Sequence, residues 1–196
     1  MKFIKRLSKR GPVGLLPFSL LASAFRYCGR LYKLLKFRVY GVSVGRSVHI
    51  GAGSRFVNPW NIAIGDYCVL GQGVRLWSEV AKGKLSLANN VEIGRNTVLD
   101  FSGDLLIGEN ALVSEGCILY THDHGHDPRS VPTAQRLVVG EGAWIGTRAI
   151  ILPSVRYIGK NALVGAGAVV SKDVPDGHVY VGASGRIFPR ERGPRG

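Results

Sequence analysis

The first 65 residues contain no acidic side chain, although they carry 12 lysines and arginines. The rest of the chain carries 14 basic and 13 acidic side chains, so the net charge of +13 comes almost wholly from the N-terminal third. A nucleic-acid footprint would more often be a folded basic face within a recognisable binding module, and no such module is visible. We therefore expect no nucleic-acid partner.

Long apolar runs are also missing. The stretch from Val13 to Phe25 has 13 residues and contains Pro17, whereas a helix that crosses a bilayer needs about 20. Residues 1–43 mix basic side chains with Leu, Phe, Ile and Tyr, which is typical of a basic amphipathic helix on an anionic membrane surface. We expect membrane-surface contact through residues 1–40.

Two other interpretations of this N-terminal segment stay open. Its basic start and short apolar core are followed by the small residues Ala22, Ser23 and Ala24, which is also the order of a secretory signal. Alternatively, the segment is a helix that packs on the rest of the fold with its basic face in solvent.

Cysteine is scarce and unpaired in sequence. The three cysteines, Cys28, Cys68 and Cys117, are far apart and form no close pair. This spacing argues against a disulfide framework and against a zinc cluster, and it fits a reducing compartment.

From residue 44 onward an aliphatic residue recurs every six positions, often followed by glycine, with a small residue at the fifth place. A period of six fits neither an amphipathic helix nor an alternating strand. It predicts an all-β coil with three flat faces, whose short strands stack in parallel on those of the next coil. Six coils are predicted by the aliphatic positions 44/50/56, 64/70/76, 87/93/99, 107/113/119, 139/145/151 and 158/164/170.

The irregular spacings fall at one corner of this predicted triangular coil. Within each group of three the spacing is six, whereas successive groups are separated by 8, 11, 8, 20 and 7 residues. Insertions on one side of a solenoid usually mark its binding side. The predicted organisation is an N-terminal segment over 1–43, a β-helix over 44–175 with an extended loop over 120–138, and a tail over 176–196.

The extended loop begins with YTHDHGHD, Tyr120 to Asp127, which holds three of the five histidines at alternate positions. Histidine titrates near neutral pH, and either ring nitrogen can bind a proton or a metal. A metal site, a proton-transfer site and a polar surface loop are all compatible with the octapeptide alone.

The block RLVVGEGAWIGTRAIILPSVRYIGKNALVGAGAVVSKDVPDG, preceded by the histidine loop, resembles the hexapeptide-repeat acyltransferases, in particular the sugar and polysaccharide O-acetyltransferases. The resemblance spans residues 44–188. It implies a left-handed parallel β-helix, a homotrimer with active sites between neighbouring prisms, acetyl-CoA as the acyl donor and no required metal.

The resemblance also implies roles for two histidines. In the sugar acetyltransferases the catalytic histidine is the sixth residue of the hexad that opens the long loop; here that hexad starts at Leu119 and ends at His124. His124 would take the proton from an acceptor hydroxyl as its oxygen attacks the thioester, since a pKa near 6.5 leaves histidine mostly neutral at pH 7. His122 is the second candidate.

The same resemblance implies a set of donor contacts. In the closing family motif, which appears here as GASGR, Ser184 stands where the family has proline and Gly185 where it has alanine. A packed corner aromatic is an equally good interpretation of the tryptophan among the expected contacts. The expected coenzyme contacts are Trp144, Thr147, Ala166, Ser171, Lys172 and Arg186.

The acceptor expected from the resemblance is a saccharide, free or lipid-linked, in the synthesis of surface polysaccharide or lipopolysaccharide. A donor made inside the cell favours a cytoplasmic protein, or one on the inner face of the cytoplasmic membrane. One alternative is a zinc protein similar to the γ-class carbonic anhydrases, although their three-histidine spacing is absent. The other is a non-catalytic β-helix that serves as an assembly module.

Overall fold

A computed structural model describes residues 39–182 and 186–189, all of which belong to the compact unit Phe37–Gly196. Most of the predicted N-terminal segment lies outside the described residues, as do Ser184, Gly185 and residues 190–196. Within the described part of the chain, no helix has the length and apolar character needed to cross a membrane.

The described chain winds through three sheets, and each circuit of three strands forms one coil. Sheet A consists of β1 (Ser43–Val44), β4 (Ile62–Ile64), β7 (Leu85–Leu87), β10 (Leu105–Ile107), β15 (Leu137–Val139) and β18 (Tyr157–Ile158). Sheet B consists of β2 (His49–Ile50), β5 (Val69–Leu70), β8 (Glu92–Ile93), β11 (Leu112–Val113), β16 (Trp144–Ile145), β19 (Leu163–Val164), β21 (His178–Val181) and β22 (Arg186–Pro189).

Sheet C completes each coil. It consists of β3 (Arg55–Phe56), β6 (Arg75–Trp77), β9 (Val98–Asp100), β12 (Ile118–Leu119), β17 (Ile150–Ile151) and β20 (Val169–Val170). Two further strands, β13 (His122–Asp123) and β14 (Thr133–Ala134), form an antiparallel hairpin outside the three sheets. A 3-10 helix covers Pro59–Asn61.

The predicted all-β parallel coil is confirmed, and so is its register. Along sheet C the aliphatic positions pair directly from coil to coil in the order Phe56, Leu76, Leu99, Leu119, Ile151 and Val170. All but Phe56 are fully buried, and Phe56 packs against the core. Each coil contributes one residue to this column, and that residue is buried because the neighbouring coils cover it.

The prediction of six coils is wrong by one, since an incomplete seventh coil follows the sixth. Val174 bridges Ile158 in parallel, and β21 pairs in parallel with β19, so the stack continues past residue 175. Val174 and the fully buried Tyr180 keep the six-residue spacing. The repeat was missed because proline follows Val174 and because the second inward residue is aromatic.

The small fifth places of the hexads hold two buried thiols. Cys68 and Cys117 are fully buried, and their Sγ atoms donate to the carbonyl oxygens of Ala88 and Gly146 at 3.0 and 3.1 Å. Burial raises the pKa of both thiols. Both residues therefore fill the core, and neither has the environment of a nucleophile.

The longer connections all lead from a sheet C strand to the next sheet A strand, and we call this edge the C–A corner. The longest one, residues 120–136, folds back as the hairpin of β13 and β14, and the chain returns to sheet A at Leu137. The loop predicted over 120–138 is therefore two residues too long, because its last two residues belong to β15. This corner holds the histidines.

Candidate active site

A fully buried carboxylate lies at the C–A corner, where Asp100 ends β9. Its Oδ1 accepts hydrogen bonds from the backbone N–H and the hydroxyl of Ser102, at 3.0 and 2.6 Å. Its Oδ2 accepts from the backbone N–H of Thr121 at 2.6 Å. Because a buried carboxylate is costly unless it is hydrogen-bonded, these bonds hold Asp100 in one orientation.

The first histidine of the loop contacts this carboxylate. Nδ1 of His122 lies 2.8 Å from Oδ2 of Asp100, and the side chain is only 8% exposed. An ionised carboxylate can only accept, so Nδ1 carries the proton and Nε2 is the basic nitrogen of the neutral ring. The indole of Trp77 packs against this ring in an edge geometry, with ring centroids 5.7 Å apart.

The second histidine is held by its own loop. Nδ1 of His124 donates to the carbonyl oxygen of Ser130 at 2.8 Å, and the Ser130 hydroxyl donates to the carbonyl oxygen of His124 at 2.7 Å. The bond to the Ser130 carbonyl is the largest influence that raises the pKa of His124, and the carboxylates of Glu79 and Asp123 add to it. His124 is 23% exposed, and because Nδ1 carries the donated proton, Nε2 is the basic nitrogen of the neutral ring.

One carboxylate oxygen joins the two rings. Oε2 of Glu79 lies 3.2 Å from Nε2 of His122 and 3.3 Å from Nε2 of His124. The two rings are nearly perpendicular, with centroids 5.2 Å apart. The contacts therefore form a continuous series from Asp100 through His122 and Glu79 to His124, across three consecutive coils. We call these four residues the acid–histidine series.

The acid–histidine series also contains groups that could hold a metal ion. The ligand atoms of Glu79, His122 and His124 lie within 4.8 Å of one another. The third histidine of the octapeptide, His126, is exposed and stands outside this group. The three-histidine arrangement considered from the sequence is therefore replaced by two histidines and a carboxylate.

The expected donor contacts lie at two different corners. Thr147 and Ala166 occupy stacked turns between sheets B and C, where the N–H of Gly167 donates to the carbonyl oxygen of Thr147 at 2.8 Å. Trp144 is 43% exposed on β16, and its Nε1 donates to the Ser114 hydroxyl at 3.0 Å. These residues form one exposed edge in the fifth and sixth coils.

The other expected donor contacts are elsewhere. Ser171 and Lys172 are exposed at the C–A corner of the sixth coil, two coils beyond the histidine loop. Arg186 is exposed on β22, opposite Val181. The structure brings His122 and His124 together, but it does not gather all the expected coenzyme contacts at one corner, and their roles stay predictions.

Glu79 and Asp100 were not predicted from the sequence. A signal for both was present, because each comes shortly after an inward residue of sheet C, Leu76 or Leu99, as the histidines come shortly after Leu119. These three inward residues occupy one column, so the residues after each of them lie at the same corner. Polar residues just after a column position were thus candidates for one site.

The chain is similar to known transferases, although no protein-family model matches it. The bifunctional protein GlmU of Thermosipho africanus is 32% identical over 134 residues, which cover 67% of this chain and 28% of that protein. This chain thus matches less than a third of GlmU. The "Putative colanic acid biosynthesis acetyltransferase WcaF" of Escherichia coli K12 is 27% identical over 165 residues, covering 83% of this chain and 77% of that protein.

A solved structure supports the fold. The N-acyltransferase AntD from Bacillus cereus, in complex with dTDP and 3-hydroxybutyryl-CoA, superimposes with a TM-score of 0.71. It is 24% identical, and the match covers 81% of this chain and 88% of that chain. At this identity the likeness establishes a shared solenoid architecture.

Proposed function

This chain belongs to the hexapeptide-repeat acyltransferases, and we propose that it transfers an acetyl group from acetyl-CoA to a hydroxyl of a saccharide. The observation that carries this proposal is the acid–histidine series, because it places a basic imidazole nitrogen at a partly exposed corner, beside a carboxylate that stabilises the protonated ring. Such an arrangement suits general base catalysis on a weakly acidic hydroxyl.

His124 is the proposed general base. Since its Nδ1–H is committed to the Ser130 carbonyl, Nε2 holds the free electron pair of the neutral ring. Once Nε2 has taken a proton, the imidazolium lies beside Oε2 of Glu79. The 3.3 Å contact is longer than the 2.7–2.9 Å usual for a charge-assisted bond, and an acceptor hydroxyl that approaches Nε2 would displace the Glu79 oxygen from it.

His122 and Asp100 are proposed as positioning residues. The buried Asp100 fixes the ring of His122, and Nε2 of His122 then contacts the same Glu79 oxygen that faces His124. A proton on His122 would hold Glu79 in place as a bridge between the rings. This arrangement orients the base without direct contact between Asp100 and the reacting atoms.

The proposed reaction transfers one acetyl group and one proton. Nε2 of His124 takes the hydroxyl proton while the hydroxyl oxygen bonds to the thioester carbonyl carbon. The carbon–sulfur bond then breaks, and His124 returns the proton to the sulfur, so that the products are an ester and coenzyme A thiol. A hydroxyl is proposed as the acceptor because a neutral hydroxyl is a weak nucleophile that gains much from a positioned base, whereas a neutral amine is the stronger nucleophile.

The saccharide is proposed to belong to surface polysaccharide or lipopolysaccharide synthesis. WcaF, which this chain resembles over 77% of WcaF's length, is named for colanic acid biosynthesis, and AntD was solved with a nucleotide and an acyl-CoA. We also propose that the protein is a homotrimer with its sites between neighbouring prisms, which light scattering of the purified protein would check.

A screen of acyl donors and acceptors with detection of the released thiol tests the proposal. We expect acetyl-CoA and a saccharide to release thiol together, and His124→Ala to lower kcat by roughly 10²- to 10⁴-fold, the usual contribution of a general base. His126→Ala is the matched control, because His126 is an exposed histidine of the same loop. Equal rates for His124→Ala and wild type would contradict the proposed base.

A location on the inner face of the cytoplasmic membrane is proposed from composition. The basic and apolar residues 1–40 would bind anionic lipid, with about 1 kcal/mol from each lysine or arginine near the surface. Deletion of residues 1–40 is expected to move the protein from the membrane fraction to the soluble fraction. Unchanged partition between the two fractions would argue against surface binding.

A further inference from the structure

A groove on sheet C opens beside the acid–histidine series. It has a volume of about 380 Å³, within the range of small-molecule sites. Its lining combines two cations, aromatic rings and aliphatic side chains from the first four coils. The lining residues are Arg55, Val57, Arg75, Trp77, Val98 and Tyr120, with Leu76 beneath them.

The two cations of this groove are direct neighbours. Arg55 and Arg75 are partners in the register of β3 and β6, so about 4.8 Å separates their backbones. Both side chains are exposed, and among residues 39–182 and 186–189 neither guanidinium has an ion-pair partner. Like charges directly opposite each other in a sheet are destabilising, so this pair favours a bound anion.

The arginine pair is confined to the first two coils. The next positions of the same outward column are all aliphatic, namely Val98, Ile118, Ile150 and Val169. The expected coenzyme contacts lie in the fifth coil and beyond, at least three strand spacings, or about 14 Å, from the arginine pair along the stack. The arginine pair is therefore displaced from the edge expected to hold the donor.

An aromatic ring connects the arginine pair to the acid–histidine series. Arg75 and Trp77 project from the same face of β6, two residues apart, and Trp77 is 38% exposed. Trp77 also packs on His122, with the two rings in an edge geometry. An indole face of this kind suits the apolar C–H face of a sugar ring, and its position puts that sugar between the cations and the histidines.

We infer that this groove binds the acceptor as a phosphorylated saccharide, with a phosphate or diphosphate between Arg55 and Arg75 and the sugar ring on Trp77. Paired guanidinium groups suit phosphate oxygens because they donate in a planar fork. The inference rests on the proposed function for the identity of the sugar as acceptor. The same chemistry is present in a nucleoside diphosphate sugar and in a sugar linked to a lipid diphosphate.

Direct binding tests the inference without reference to turnover. The probes are UDP-glucose, glucose linked to farnesyl diphosphate in detergent micelles, and methyl glucoside, each titrated calorimetrically into the full-length protein. We expect at least one phosphorylated probe to bind at least tenfold more tightly than methyl glucoside. Which of the two binds more tightly identifies the source of the phosphate.

The test variant is Arg55→Gln/Arg75→Gln, and the matched control is Arg46→Gln/Arg95→Gln. The control removes the same charge from two exposed arginines outside the groove, so it accounts for non-specific attraction. We expect the test variant to weaken binding of the phosphorylated probe by tenfold or more, and the control to leave it within twofold.

Three results would overturn the inference: equal binding of neutral and phosphorylated probes, equal binding by the test variant and wild type, or a test variant that loses affinity for coenzyme A or changes oligomeric state instead. Failure of the proposed function has a different signature. In that case the phosphorylated probe binds as expected and acetyl-CoA is not consumed.

Discussion

Oδ2 of Asp100 lies 2.8 Å from Nδ1 of His122, although the two residues are 22 positions apart in sequence. The contact exists because β9 and β12 are register partners in adjacent coils, so that the segments leaving them run side by side. The long loop that holds His122 is thereby tied to the stacked strands, so the strands determine where the site lies.

Asp100→Asn tests this tie. The amide would put a donor against groups that themselves donate, such as the N–H of Thr121 or Nδ1–H of His122, and leave one of them unpaired. We expect a loss of about 1–3 kcal/mol in the free energy of unfolding, measured with urea, and a fall in kcat of roughly tenfold or more with an unchanged KM for acetyl-CoA.

Asp127→Asn is the control for this variant, because Asp127 is an exposed aspartate of the same loop. It should match wild type in both stability and kcat. If Asp100→Asn behaved like this control, Asp100 would have no positioning role.

Glu79→Gln tests the electrostatics of the base. The Glu79 carboxylate contributes to the raised pKa of His124 because it stabilises the protonated ring. A base works only when neutral, so a raised pKa makes activity fall at a higher pH than for an ordinary histidine. Removal of the carboxylate should therefore move the acidic limb of the kcat/KM profile to lower pH.

The control is Glu115→Gln, which removes an exposed carboxylate that pairs with Arg95. Its pH profile should superimpose on that of wild type. A shift of the acidic limb to higher pH in Glu79→Gln would contradict the assignment of His124 as the base.

Zinc should inhibit the enzyme. Tetrahedral zinc with bonds of 2.0–2.1 Å places its ligand atoms about 3.3 Å apart, and the Glu79 oxygen lies 3.2 and 3.3 Å from the two histidine nitrogens. Bound zinc would occupy Nε2 of His124 and block proton transfer. We expect micromolar zinc to abolish thiol release and a chelator to restore it.

Glu79→Gln should be less sensitive to zinc, and His126→Ala should be as sensitive as wild type. Loss of activity on chelation of the untreated enzyme, with recovery on addition of zinc, would show instead that the metal takes part in the reaction.

Gly103→Ala tests the close packing behind the loop. A Cβ at Gly103 would meet the backbone N of Gln135 at 2.2 Å and the carbonyl oxygen of Thr121 at 2.4 Å. Since these are backbone atoms, the hairpin must shift. We expect a destabilisation of about 1–3 kcal/mol in chemical unfolding, together with loss of activity.

The comparison is Gly53→Ala, where a Cβ would meet nothing closer than 4.0 Å and only the positive φ of +73° resists a side chain. This variant should lose stability through backbone strain but keep its activity. Full activity in Gly103→Ala would show that the hairpin tolerates displacement.

Much of the fold could be predicted from the sequence because a solenoid repeats one local rule. The inward position is restricted by size, so the inward residues of each coil show a period of six, and aligning the coils predicts the column from Phe56 to Val170. The seventh coil obeys the same spacing, but Tyr180 fills the interior with an aromatic ring and its hydroxyl donates to the carbonyl oxygen of Val169. A rule based on aliphatic residues could not detect it.

The site was harder to predict, since its members come from separate coils. The histidines were conspicuous in one octapeptide, and the register singled out the corner where they lie. Glu79 and Asp100 are single acidic residues whose significance depends on which strands are neighbours. Both contact histidines of the fourth coil, and this proximity depends on the stacking of the coils.

The placement of every longer connection at the C–A corner has a consequence for how such proteins diversify. The stacked strands bury the aliphatic core, whereas Glu79, His122 and His124 lie in connections of differing length between sheets C and A. Exchange of residues 80–82, none of which is buried, would change the surroundings of Glu79 and leave the core residues in place. The packed core and the histidine site thus lie on different parts of the same repeat.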